Sequence, residues 1–78
     1  MNYLIVFDST SQAIKAEAMF NQSKINIKVR PIPNEVSSGC GISVYFDDID
    51  KVKEVIKNEK LGFSNIYQIK DTKFITYI

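Results

Sequence analysis

The sequence predicts an α+β fold, with one antiparallel sheet and two helices on one face, in a single domain over residues 1–78. Two continuous apolar runs, at 3–7 and 42–46, predict strands that are buried on both faces. A third run, at 26–30, alternates apolar and basic residues, which indicates a strand with one solvated face. Apolar residues at helical spacing follow the first and second of the continuous runs. The order is therefore strand–helix–strand, twice, with one further strand.

The first helix is predicted to begin at Ser9 and to end near residue 22. Ser9 and Gln12 have the spacing of a capping box, and Thr10 and Ser11 are competing N-caps. The side of the helix that would face the sheet carries an apolar stripe: Ala13, Ala16, Met19 and Phe20.

The second helix is predicted to follow Asp47 or Asp48, either of which can cap it. Gly62 is placed to end it. Two more strands are expected at 66–70 and 74–78, joined by a short turn. The apolar residues of this helix recur at helical spacing: Ile49, Val52, Val55 and Ile56.

This order of elements is that of a ferredoxin-like βαββαβ sandwich with an extra C-terminal strand. That topology places strands one and three in the centre and strand two at an edge, which agrees with the two continuous runs and the alternating one. The predicted core combines apolar residues of the strands and of the two helices: Leu4, Val6, Ala16, Phe20, Val29, Val44, Val52 and Ile56.

Composition argues against several classes of function. Ten basic residues against nine acidic ones leave a net charge of +1, so no overall attraction to nucleic acid or to an anionic membrane is expected. The longest apolar run is too short to cross a bilayer and lacks the features of a signal peptide. A cytoplasmic location is therefore expected.

Residue content also restricts the chemistry. The chain has no histidine and a single cysteine, which excludes an intrachain disulfide, a zinc constellation and a Cys–His nucleophile pair within one chain. No glycine-rich phosphate-binding motif is present. We expect no cofactor, no metal and no independent enzymatic activity, which leaves a carrier or a binding module.

The single cysteine, Cys40, lies in the loop between strands two and three. Flanking glycines would let another molecule approach the sulfur and would let the backbone take positive φ. We therefore expect the thiol to be at least partly exposed, although serines and glycines also serve turns without any ligand. The loop contains two prolines, two serines and two glycines: Pro31, Pro33, Ser37, Ser38, Gly39 and Gly41.

The topology brings this loop to the same end of the sheet as the start of helix one. Its expected neighbours are Asp8, Ser9, Thr10 and Ser11. The unpaired N–H groups and partial positive charge of a helix N-terminus favour a thiolate. Asp8 would oppose it through like charge, and the sequence leaves the balance open.

The residues just described resemble the small bacterial selenium/sulfur carrier family over about residues 3–60. The similarity lies in the opening at 3–10, in Ala13 and Glu17, in the proline pair at 31–33 and in the run at 36–41. The resemblance implies that Cys40 is the carrier thiol and Gly41 its companion. It also implies that the supporting loop includes Pro33, Ser37 and Ser38.

The leading functional prediction is a carrier that holds a persulfide or perselenide on Cys40. Its expected partners are a desulfurase-like donor and an acceptor such as selenophosphate synthetase. An alternative is an ACT-like module that binds a small molecule, or forms oligomers, without covalent chemistry. A third is a redox-sensitive surface thiol that carries nothing. The sequence does not decide whether the cargo is sulfur or selenium, or whether the protein forms a homodimer.

Overall fold

The computed structural model describes residues 1–36 and 40–78, and it contains a single five-stranded antiparallel sheet with two helices. The strand order is β2-β3-β1-β4-β5. This confirms the predicted α+β class and an order of elements that fits a ferredoxin-like fold with an additional edge strand. The elements are β1 (Tyr3–Val6), α1 (Thr10–Gln22), β2 (Ile27–Pro31), β3 (Ile42–Phe46), α2 (Ile49–Glu59), β4 (Asn65–Lys70) and β5 (Lys73–Thr76).

Strands β1 and β3 occupy the interior of the sheet, as predicted. Ile5 lies opposite Val44 of β3 and opposite Ile66 of β4, so β1 is hydrogen-bonded on both sides. β2 pairs with β3 alone among the described strands and forms one edge. The continuous apolar runs form the interior strands because both faces of such strands are covered.

The alternation of side chains divides the interior between two faces of the sheet. Ile5 and Phe7 of the first strand segment belong to a large cluster with the apolar residues of both helices. Leu4 and Val6 belong to a smaller cluster with Val36, on the face opposite the helices, which we call the open face. Five partly buried side chains complete the cluster on the open face: Ile32, Tyr45, Tyr67, Ile69 and Phe74.

Two of the predicted core residues are less buried than expected. Val29 is 36% exposed, so its assignment to the core was wrong, and Ile56 is half-buried. Val29 lies on the edge strand, where the sheet offers a neighbour on one side only. The other six are fully buried: Leu4, Val6, Ala16, Phe20, Val44 and Val52.

Both helices begin at side-chain caps. Ser9 Oγ accepts the backbone N–H of Gln12 at 3.3 Å, and Asp48 Oδ1 accepts that of Lys51 at 3.1 Å. Each cap therefore satisfies a donor that the first turn leaves unpaired. The Gln12 amide oxygen in turn accepts the backbone N–H of Asp8 at 3.1 Å.

The end of α2 differs from the prediction. Lys60, not Gly62, takes the left-handed conformation at the C-cap, with φ of 52°. Gly62 lies two residues further on and has negative φ. A Cβ at Gly62 would lie 2.8 Å from Gln12 Nε2, which is the end of a flexible side chain that can move aside.

The two edges of the sheet differ in character. β2 presents Lys28, Arg30 and Pro31. Beyond β5 the chain continues to pair with β4, because Tyr77 N–H donates to the Ile66 carbonyl at 2.7 Å. Three apolar residues at this second edge are 42–48% exposed: Ile75, Tyr77 and Ile78.

No helix in the described part of the chain is both long enough and apolar enough to span a membrane.

Candidate thiol site

Cys40 lies at the end of the sheet where β2 leaves and β3 begins. The backbone N–H of Ile32 donates to the Gly41 carbonyl at 3.2 Å, which extends the pairing of the two strands up to the cysteine. The backbone N–H of Ile42 donates to Cys40 Sγ at 3.4 Å. The sulfur is therefore held by the first residue of β3.

The same sulfur lies next to the start of α1. Cys40 Sγ is 3.9 Å from Thr10 Oγ1, a distance compatible with a long S–H···O hydrogen bond. Thr10 is the first residue of α1, where backbone N–H groups lack intrahelical partners and the helix dipole is positive. The sulfur therefore lies beside the first turn of α1.

The expectation of an exposed thiol was wrong, because Cys40 is only 2% exposed. It belongs to the cluster between the sheet and the helices, together with Phe7 and Ala13. Cys40 continues the alternation of β3, in which residues 42, 44 and 46 face the helices. That two-residue period, extended backward from the strand, is the sequence signal that could have revealed the burial.

The glycine after the cysteine does not serve the turn in the expected way. Gly41 has negative φ, and a Cβ built on it would meet no atom within 4 Å.

Of the other predicted loop residues, one is described by the structure and three are not. Pro33 accepts the backbone N–H of Val36 at 3.1 Å in a tight turn. The positions 37–39, which hold Ser37, Ser38 and Gly39, lie outside the described residues.

The predicted residues at the start of α1 have different contacts. Of these residues, Thr10 is the one whose hydroxyl contacts Cys40 Sγ. Ser9 caps the helix, and its Oγ is 3.3 Å from Ser11 Oγ. Asp8 is exposed, and its backbone is tied to the Gln12 side chain.

Sequence reasoning missed the burial of Val36 in this loop. Val36 is 6% exposed and packs on the open face against Leu4 and Val6, whereas Cys40 packs on the helix face. Among its described residues, the loop thus has one buried residue on each face of the sheet. A single apolar residue in a polar loop carries no periodic signal, so its partners become visible only in three dimensions.

Comparison with family models gives a match to a family described as "Putative Se/S carrier protein-like", over residues 2–68. The chain belongs to this family. Searches of curated proteins and of solved structures returned no match.

The Se/S carrier family match covers Cys40, the Thr10 and Ile42 groups that contact its sulfur, and the elements from β1 to α2. It ends within β4 and leaves β5 outside. The thiol site therefore lies wholly in the part that defines the Se/S carrier family, and the β5 edge does not.

Among the described residues of this Se/S carrier family member, no group of three or more histidine, cysteine, aspartate or glutamate side chains is arranged to hold a metal ion. The chemical group that the site offers is a sulfur with a backbone donor and a hydroxyl beside it.

Proposed function

We propose that this protein carries sulfur or selenium as a persulfide or perselenide on Cys40 and delivers it to a partner enzyme. The observation that carries the proposal is membership of the Se/S carrier family over a segment that contains the chain's single cysteine. Such a carrier needs one sulfur nucleophile and no second cysteine that would discharge the cargo as a disulfide.

The transfer balances without an external oxidant or reductant. The Cys40 thiolate attacks the terminal sulfur of a donor persulfide, a new S–S bond forms, and the S–S bond of the donor breaks. The electron pair of the broken bond leaves with the donor thiolate, which takes up a proton. Delivery repeats the exchange with an acceptor thiolate, and Cys40 is then the leaving group. Perselenide transfer follows the same balance.

The contacts of the sulfur with Ile42 and Thr10 can assist both loading and delivery. The Ile42 amide, 3.4 Å away, can donate to a sulfur that carries negative charge, and so can the Thr10 hydroxyl once the thiol proton has left. The thiolate is the attacking group during loading and the leaving group during delivery. Stabilising it through these donors assists each exchange.

Burial of the sulfur limits the way in which loading proceeds. With 2% of Cys40 exposed, a donor persulfide reaches Sγ only after the surrounding chain moves. We assign support of the thiol to the predicted loop, in which Pro33 lies in the turn and Gly41 is exposed. Ser37, Ser38 and Gly39 complete the proposed loop.

The proposed partners are a desulfurase-like donor and an acceptor such as selenophosphate synthetase, and the proposed compartment is the cytoplasm. The protein itself would not turn over substrate. It would hold one atom of cargo between two enzymes.

Loading is tested by mass spectrometry after incubation with a cysteine desulfurase and cysteine. We expect a mass increase of one sulfur atom on the wild-type protein and none on Cys40→Ser, with a preserved NMR spectrum showing that the variant folds. The proposal is wrong if plausible sulfur and selenium donors leave the wild type unmodified, or if they modify Cys40→Ser equally.

The burial of Cys40 favours a second candidate, in which the cysteine is a core residue and the protein binds a small molecule without covalent chemistry. A buried cysteine commonly behaves as a small apolar residue. Under this candidate, no donor loads the protein, and a metabolite raises its melting temperature with no change in mass.

A further inference from the structure

The open face of the sheet is basic where β2 meets β3. Lys28 lies opposite Tyr45, and Arg30 lies opposite Ser43, so both cationic residues share a face with the open-face cluster. Lys28 and Arg30 are exposed. None of the residues in the five strands is acidic, although the chain contains nine acidic residues. The acidic side chains therefore lie on helices, turns and loops, and one of them, Glu35, lies near enough to Tyr45 to act on its pKa.

These side chains line a shallow cavity of about 310 Å³ together with Met1. The lining combines two cations, one phenol and an apolar side chain: Lys28, Arg30, Tyr45 and Met1. Burial raises the pKa of Tyr45, and Glu35 raises it further, while Arg30 acts in the opposite direction. The phenol consequently keeps its proton at neutral pH and is available as a donor.

Lysine, arginine and a protonated phenol all donate hydrogen bonds, and a carboxylate accepts them. We propose that the surface formed by Lys28, Arg30 and Tyr45 is a docking site for an acidic segment of a partner protein. The identification of that partner as a sulfur or selenium donor or acceptor rests on the proposed function, whereas the surface itself does not.

A single-stranded nucleic acid fits this face less well. Sheet surfaces that bind bases need aromatic side chains on which the bases stack. The aromatic side chains of this face, Tyr45, Tyr67 and Phe74, are partly buried in the open-face cluster. The strand β1 between Tyr45 and Tyr67 presents the fully buried Leu4 and Val6 instead of an aromatic platform. With a net charge of +1, the protein also lacks a general attraction for a polyanion.

The position of the surface connects it to the thiol. Arg30 lies two residues before Ile32, whose amide is bonded to the carbonyl of Gly41, next to Cys40. Two residues of a strand span about 7 Å. A segment bound along Lys28 and Arg30 would therefore bring its protein to the end of the sheet that holds the sulfur, although on the face opposite the one on which Cys40 packs.

Binding is tested with a fluorescein-labelled peptide of alternating glutamate and leucine, by fluorescence anisotropy at low salt and by ¹⁵N NMR of the protein. We expect shifts at Lys28, Arg30 and Tyr45. The Lys28→Glu/Arg30→Glu double variant should bind about tenfold or more weakly. The milder Lys28→Gln/Arg30→Gln pair should show a smaller loss of the same kind.

The matched control is Lys15→Glu/Lys57→Glu, which changes the net charge equally at exposed positions on α1 and α2. It should retain most of the affinity. The proposal is overturned if the wild type does not bind the peptide, or if both charge reversals weaken binding equally. It is also overturned if oligothymidine binds this face more tightly than the peptide.

The outcome is separable from that of the carrier function. Cys40→Ser should bind the peptide as the wild type does, because its change lies away from the basic surface. Peptide binding without sulfur loading would support the docking surface and refute the carrier. Sulfur loading without peptide binding would support the carrier function and refute the docking surface.

Discussion

Thr10 has two roles in this structure, as the first residue of α1 and as a neighbour of the Cys40 sulfur. The sulfur also accepts the Ile42 amide, so a backbone donor and a side-chain hydroxyl meet at one atom. The backbone donor cannot be removed by substituting a side chain. The hydroxyl can, which makes Thr10 the residue whose substitution tests the environment of the sulfur.

Thr10→Val should speed alkylation of Cys40 at neutral pH by about two- to fivefold, because losing the contact between Sγ and the hydroxyl makes the local opening that exposes the buried sulfur less costly. The rate is measured with iodoacetamide. Thr10→Ser, which keeps the hydroxyl, is the control and should react nearly as the wild type does. Equal rates for all three proteins would show that the 3.9 Å contact has no effect on the sulfur.

Lys60→Gly should raise the free energy of unfolding by about 1 kcal/mol, since a lysine at φ of 52° bears a steric cost that glycine avoids. Urea denaturation measures the change. Lys57→Gly, in the last turn of α2, is the matched control and should lower the free energy of unfolding by a similar amount. A destabilised Lys60→Gly would contradict the left-handed C-cap.

Sequence reasoning identified Cys40 and the start of α1 as neighbours because topology alone dictates which ends of the sheet meet. It failed on the exposure of the sulfur, because loop composition was given more weight than the two-residue period that Cys40 shares with Ile42 and Val44. It failed on the end of α2 for a related reason. Gly62 has the residue type of a helix terminator, but the left-handed residue at the end of α2 is Lys60, two positions earlier.

At the scale of elements, two described residues of the loop between β2 and β3 are held by packing as well as by the chain ends. Val36 is buried against Leu4 and Val6, and Cys40 is buried on the opposite face. The element is therefore connected to both apolar clusters of the molecule. Loosening it on one face should affect the residue on the other.

Val36→Ala should lower the free energy of unfolding by about 1–2 kcal/mol, because two buried methyl groups are lost from the open-face cluster. It should also speed alkylation of Cys40. Val29→Ala removes the same atoms from a residue that is 36% exposed and should cost less than about half as much. Equal losses for the two variants would show that Val36 does not hold the loop.

The elements themselves followed from periodicity, since apolar runs and helical stripes are local properties of the chain. The consequences of lying at an edge of the sheet were harder to predict from the sequence. Val29 alternates like a core residue, but its strand has a neighbour on one side only, so the side chain remains partly exposed. The pairing of Tyr77 and Ile78 with Ile66 beyond the end of β5 likewise depends on contacts that span the sheet.

For the molecule as a whole, the buried sulfur predicts slow labelling of the native state. A bulky aromatic disulfide reagent should react with folded protein at least about tenfold more slowly than with protein unfolded in urea, because reaction requires local opening. The rate is followed by absorbance of the released thiol, and a short unstructured peptide with one cysteine corrects for the effect of urea. Equal corrected rates would contradict the burial of Cys40.

The unequal edges of the sheet have a consequence for handling the protein at high concentration. The β2 edge carries two charges and a proline, which discourage another strand from adding to it. The opposite edge exposes Ile75, Tyr77 and Ile78 with Lys73 as the cation of its strand, a composition that invites strand addition and aggregation. Aggregates should therefore grow from the β5 side, and a charge at Ile75 should increase solubility without touching the thiol or the basic surface.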